Sequence, residues 1–144
     1  MSIFIRDKKK LYRLALNNLI KREYCINCND DFKVRHDIDT DNSVVTYYID
    51  SRVGELTLFR YLKLLVMSSI ALKDLGLEVS KVEFCVTTYR RDGYGCFEMD
   101  SKYDLEVSKE LINKIDWKEI SSSEFGDIAK SIKKVIFANI KLDK

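Results

Sequence analysis

The stretch from Glu55 to Leu75 constrains this chain more than any other. Drawn as a helix, it is apolar nearly all round, which is the signature of a helix buried on several sides. A membrane-spanning helix needs about 20 predominantly apolar residues, and Arg60, Lys63 and Lys73 interrupt this run. The stretch therefore reads as the central helix of a core, with Asp50 or Ser51 as its start signal and Gly76 as its stop. Such a helix cannot stand alone, so the rest of the chain has to supply the faces that cover it.

The flanking patterns do so. From Asp7 to Glu23, Leu11, Tyr12, Ala15, Leu16 and Leu19 share one helical face, with Arg6, Lys10, Arg13 and Lys21 opposite. Phe32, Val34, His36 and Ile38 alternate with Lys33, Arg35 and Asp37, the period of a strand. Asp39-Thr40-Asp41-Asn42 has turn chemistry, and Ser43 to Asp50 is rich in strand formers. With those four residues as the loop, Phe32 faces Ile49, Val34 faces Tyr47 and His36 faces Val45. A second hairpin runs from Ser80 to Arg90 and returns through Asp92-Gly93, a two-residue turn signal that pairs Thr88 with Phe97 and Val86 with Met99. Tyr103 to Val107 is a candidate fifth strand. Ser108 starts a short helix to about Ile115. Ser121-x-x-Glu124 is a capping box for a last helix, in which Phe125, Ile128, Ala129, Ile132, Val135 and Ile136 keep helical spacing to its end.

At 144 residues, with 46% hydrophobic and 33% charged positions, the chain has the size and composition of one domain that buries its own core. The expected fold is α+β: a single layer of four to five mainly antiparallel strands packed with a long central helix, in the order α-ββ-α-ββ(β)-α-α over residues 1–144. An order α-ββ-α-βββ-α resembles that of the roadblock and longin class, adaptor folds with a long central helix on a five-stranded sheet. The resemblance covers most of the chain, rests on element order without a shared motif, and implies an adaptor role.

The chemistry-bearing motifs each lack a part. A net charge of +2 gives no global push towards nucleic acid. The N-terminus has no apolar h-region, so no secretory signal is expected; the expected compartment is the cytoplasm, where the four cysteines stay reduced. Cys25-x-x-Cys28 is half of a zinc site without a second close pair. The hairpin register puts Cys85 and Cys96 about 13 Å apart at about 3.3 Å per residue, too far for a shared metal or a disulfide. Asp37-x-Asp39-x-Asp41-Asn42 resembles the start of a calcium loop, but Tyr48 stands where the bidentate glutamate belongs. Asp39, Asp41, Asp50 and Glu83 are the carboxylates a magnesium-dependent nuclease would use, and nothing in their spacing makes them converge. His36, the lone histidine, is directed towards the core rather than to a nucleophile. No glycine-rich phosphate loop is present, and no metal or cofactor is expected.

Two surfaces remain. One is the basic stripe Arg6, Lys10, Arg13 and Lys21. The other is the hairpin tip Tyr89-Arg90-Arg91-Asp92-Gly93-Tyr94, which joins cations to aromatic anchors. The leading expectation is a non-enzymatic protein-interaction module (an adaptor, an inhibitor or immunity-type protein, or a small subunit of an assembly) binding through Tyr89, Arg90, Arg91 and Tyr94. Its partner is another protein or a second copy of the chain, with no membrane involved. The alternatives are a nucleic-acid-binding protein using the stripe and the tip, and a metal-dependent nuclease-like enzyme.

Overall fold

The computed structural model describes residues 3–23 and 30–138. Helix α1 (Ile3–Asn18) ends in a π-helical turn over Leu19–Glu23, and strands β1 (Phe32–Asp39) and β2 (Val44–Ser51) follow. Helix α2 (Glu55–Ala71) closes with a 3₁₀ turn over Leu72–Leu75 and leads into β3 (Lys81–Arg91) and β4 (Phe97–Ser108). Helices α3 (Lys109–Lys114) and α4 (Ser122–Ile132) precede β5 (Lys134–Ala138). The result is a five-stranded, mostly antiparallel sheet in chain order, the α+β class that the sequence patterns imply. Only β2 and β3 run parallel. Parallel neighbours need a crossover rather than a tight turn, and α2 is that crossover. Its near-continuous apolar surface follows from this position: Leu58, Phe59, Leu62, Leu65 and Val66 are all buried.

Helices cover one face of the sheet. On β2, Val45, Tyr47, Ile49 and Ser51 point into the core, as do Val82, Phe84 and Val86 on β3 and Tyr103, Leu105 and Val107 on β4. Most polar groups there are paired, the exception being the Ser51 hydroxyl, which is buried without a hydrogen-bond partner among the described residues. The Tyr47 hydroxyl donates to the Leu65 carbonyl at 3.1 Å and lies 2.7 Å from Ser69 Oγ, while Ser69 itself donates to the same carbonyl. α4 packs on α2 through Gly126, where a Cβ would stand 2.6 Å from the Phe59 ring, so only glycine fits without movement. The Ser121–Glu124 capping box is present with both reciprocal hydrogen bonds, and Lys63 Nζ donates to the Ile120 carbonyl just ahead of it. Gly76 ends α2's 3₁₀ extension in the left-handed conformation at φ 99°, the geometry glycine adopts without strain.

Five expectations need correction. The last helix stops at Ile132, and Lys134–Ala138 pair with β4 instead of continuing it. Val135-Ile136-Phe137 are strand formers, and the free edge of β4 satisfies their backbone in a way that helical spacing cannot reveal. Tyr103–Val107 is the second half of β4, so the fifth strand lies after the last helix and the order differs from α-ββ-α-βββ-α. The first hairpin is shifted by two residues, with Phe32 opposite Ser51 and His36 opposite Tyr47, because the loop is 40–43 rather than 39–42. Side-chain period 2 makes such a slip invisible to the burial pattern, and the core face is unchanged. The second hairpin turns through 92–96: Asp92 Oδ1 accepts from the Tyr94 and Cys96 amides, and Gly95 takes φ 84°. α2, finally, starts after Gly54, with Asp50 and Ser51 still in β2.

Candidate interaction surface

Among the described residues no helix covers the other face. Its side chains form rows across the strands, set by the register. Arg35, Tyr48, Cys85, Asp104 and Lys134 make one row, Lys33, Asp50, Thr87, Lys102 and Phe137 the next, and Asp37, Thr46, Glu83 and Glu106 a third on the far side. A shallow groove of about 370 Å³ runs over the first two rows, with Ile136 at its border. Arg35 lies over the Tyr48 ring at 5.4 Å. In the third row Lys81 bridges Glu83 at 3.0 Å and Glu106 at 3.4 Å, which raises the lysine's pKa and occupies both carboxylates. β5 borders this face as an edge strand with no buried residue, and Val135, Ile136 and Phe137 are 51%, 53% and 47% exposed.

Cations and aromatics gather where this sheet ends at the β3–β4 loop. The guanidiniums of Arg52 and Arg91 both lie over the Phe97 ring, at 4.5 Å and 4.9 Å. Arg91 stands opposite Phe97 across the hairpin, while the parallel β2–β3 pairing brings Arg52 alongside from a distant part of the chain. Tyr94, at the loop's apex, is 95% exposed.

The four tip residues named from sequence thus divide. Arg91 and Tyr94 are exposed, Tyr89 is half-buried opposite Met99, and Arg90 is held by Glu98 at 3.3 Å and Asp100 at 3.5 Å. Arg52 and Phe97 were missed. The available signal was weak: an exposed arginine one residue past a strand, and an aromatic at a strand start. The basic stripe is less uniform than expected. Lys10 and Lys21 are exposed and Arg13 contacts Asp37 at 3.8 Å, while Arg6 belongs to α1 with its side chain outside the described residues.

The other candidates can be placed. Cys25 and Cys28 lie outside the described residues. Cys85 is half-buried on the open face, its thiol pushed up by burial and by neighbouring Asp104, whereas Cys96 sits exposed in the loop. Asp39 closes the β1–β2 turn by accepting from the Asn42 side chain and the Asp41 and Asn42 amides, which lowers its pKa and explains the acidic turn without calcium. Among the described residues, no three of His, Cys, Asp and Glu gather where they could hold a metal ion. His36 points to the covered face, 6.3 Å from the Tyr47 ring. Among the described residues no helix is long and apolar enough to cross a membrane. Comparison with protein families, with curated proteins and with solved structures finds no match to this chain.

Proposed function

We propose that this chain is a non-enzymatic protein-interaction module, an adaptor, inhibitor or small subunit, that docks its partner at the tip end of the open sheet face. The observation that carries this reading is the Arg52–Phe97–Arg91 cluster beside the exposed Tyr94. Arginine with aromatic side chains is the composition of interface hot spots, and the Phe97 ring here already carries two guanidiniums. The half-exposed apolar residues of β5 extend the surface along one edge. Free thiols at Cys85 and Cys96 support a reducing, cytoplasmic setting.

The test is site-specific photo-crosslinking in the native host. A photoreactive residue at Tyr94 or Lys102 is expected to trap one discrete partner, while the same residue at Lys118 or Asp127, in the helical layer, traps none. Equal trapping from all four positions, or from the helical positions alone, overturns the reading.

A second reading is single-stranded nucleic-acid binding at the same end, favoured by Lys33, Arg35 and Lys102 lying in the two rows nearest the tip. It requires binding that weakens steeply with salt. Absence of binding to single-stranded oligonucleotides at about 50 mM salt rules it out.

A further inference from the structure

The opposite edge of the sheet carries a pattern of its own. Among the described residues β1 has a single strand neighbour, β2, and pairs with it over all eight of its residues without a bulge. An edge strand of that length is a template for pairing with another chain unless something blunts it. Charge is the usual blunting device, and β1 has charge on every position of its open face: Lys33, Arg35, Asp37 and Asp39. The order, however, is two cations followed by two anions. Read antiparallel, that series is its own complement.

We propose that β1 pairs with β1 of a second copy of this chain, antiparallel about a two-fold axis at His36, joining two five-stranded sheets into one. In that register Lys33 meets Asp39 of the second copy and Arg35 meets Asp37 on the open face. Val34 meets Ile38 and His36 meets its own equivalent on the covered face. Opposite charges directly across an antiparallel pair are favourable and like charges are not. A shift by two residues in one direction opposes Asp37 to Asp37, and in the other Arg35 to Arg35. A parallel pairing in equivalent register sets like against like throughout. The pattern therefore selects one orientation and one register, and the two-fold makes the interface isologous.

The partners are available. Asp37's contact with Arg13 is long, at 3.8 Å, and both side chains are more than half exposed, so the carboxylate has room for a second guanidinium. Arg35 makes only a ring contact with Tyr48 among its described interactions. One strand pair forms a small interface, on the order of 1,000 Å² or less, so the dimer is expected to be weak and salt-sensitive. This surface is separate from the tip cluster, and the inference does not depend on the docking reading above.

Sedimentation velocity of the purified full chain over a concentration series tests it. Wild type is expected to show a monomer–dimer equilibrium. Arg35→Asp and Asp37→Arg should each weaken association roughly tenfold or more, because the two-fold converts two attractive pairs to repulsive ones per substitution. The double variant Arg35→Asp/Asp37→Arg should restore the dimer, since it inverts each pair without losing complementarity. Mixing the two single variants should also restore association, as a heterodimer. A wild type that stays monomeric at all concentrations overturns the proposal. So does a dimer indifferent to either single substitution, or a double variant that remains monomeric, which would mean that any edge-binding partner is a different chain.

Discussion

The covered and open faces of the sheet come from the same strands by the same alternation, yet different constraints act on them. On β2, Val45, Tyr47 and Ile49 are buried, while Thr46, Tyr48 and Asp50, one residue along in each case, meet solvent or side chains of neighbouring strands such as Glu83 and Arg35. Burial forces shape on the first set: every side chain must fill space left by another, and hydroxyls such as those of Tyr47 and Ser69 must find partners. The second set is free of that demand. Its cations, aromatics and carboxylates lie in rows that packing does not require, so this face can carry recognition at little cost in stability.

That contrast can be broken in graded steps. Phe84→Ala empties a fully buried position on the covered face, and thermal or denaturant unfolding should register a loss of about 3–5 kcal/mol. Gly126→Ala should cost about 1–3 kcal/mol by pushing α4 off the Phe59 ring, without removing a single native atom. Tyr47→Phe removes one hydroxyl from a buried network in which Ser69 keeps its bond to Leu65; about 1 kcal/mol is expected in urea unfolding. The pH response is smaller. Burial first, then the Arg13 guanidinium, hold the His36 imidazole below its ordinary value, so the unfolded chain takes up the proton more readily than the folded one. Stability should be full above about pH 6.5 and should decline as pH falls below it. His36→Gln should flatten that part of the profile. At the low end, Tyr48→Ala on the open face should change stability by about 0.5 kcal/mol or less.

The same contrast explains what could be read from the residues beforehand. α2, its Gly76 stop and the Ser121–Glu124 box were legible because their signals are local and the burial they imply is strong. The core face of the first hairpin and the inward positions of β3 were legible for the same reason, whereas Phe97 and Met99, expected opposite Thr88 and Val86, stand opposite Arg91 and Tyr89 on the other face, beyond a bulge. The first hairpin's register was not: a shift of two residues preserves every inward side chain, and the decision rests with the turn, where Asp39 joins the strand and still closes the loop with its carboxylate. β5 was misread because Phe125 through Ile136 fit a helix locally, while the open edge of β4 that captures Lys134–Ala138 exists only after the sheet has formed. The tip cluster was half legible. Arg91 and Tyr94 announce themselves in sequence, whereas Arg52 reaches Phe97 only through the parallel β2–β3 pairing.

On the proposed reading, the covered face holds the fold while the tip of the open face holds the partner. This division is tested most directly by Arg52→Glu/Arg91→Glu, measured for thermal unfolding and for capture of the host partner in one series with wild type. A melting temperature within about 2 °C of wild type is expected, the shift that about 0.5 kcal/mol produces in a domain of this size, together with loss of the captured partner. Undiminished capture by a folded double variant, or a large drop in melting temperature, would contradict it.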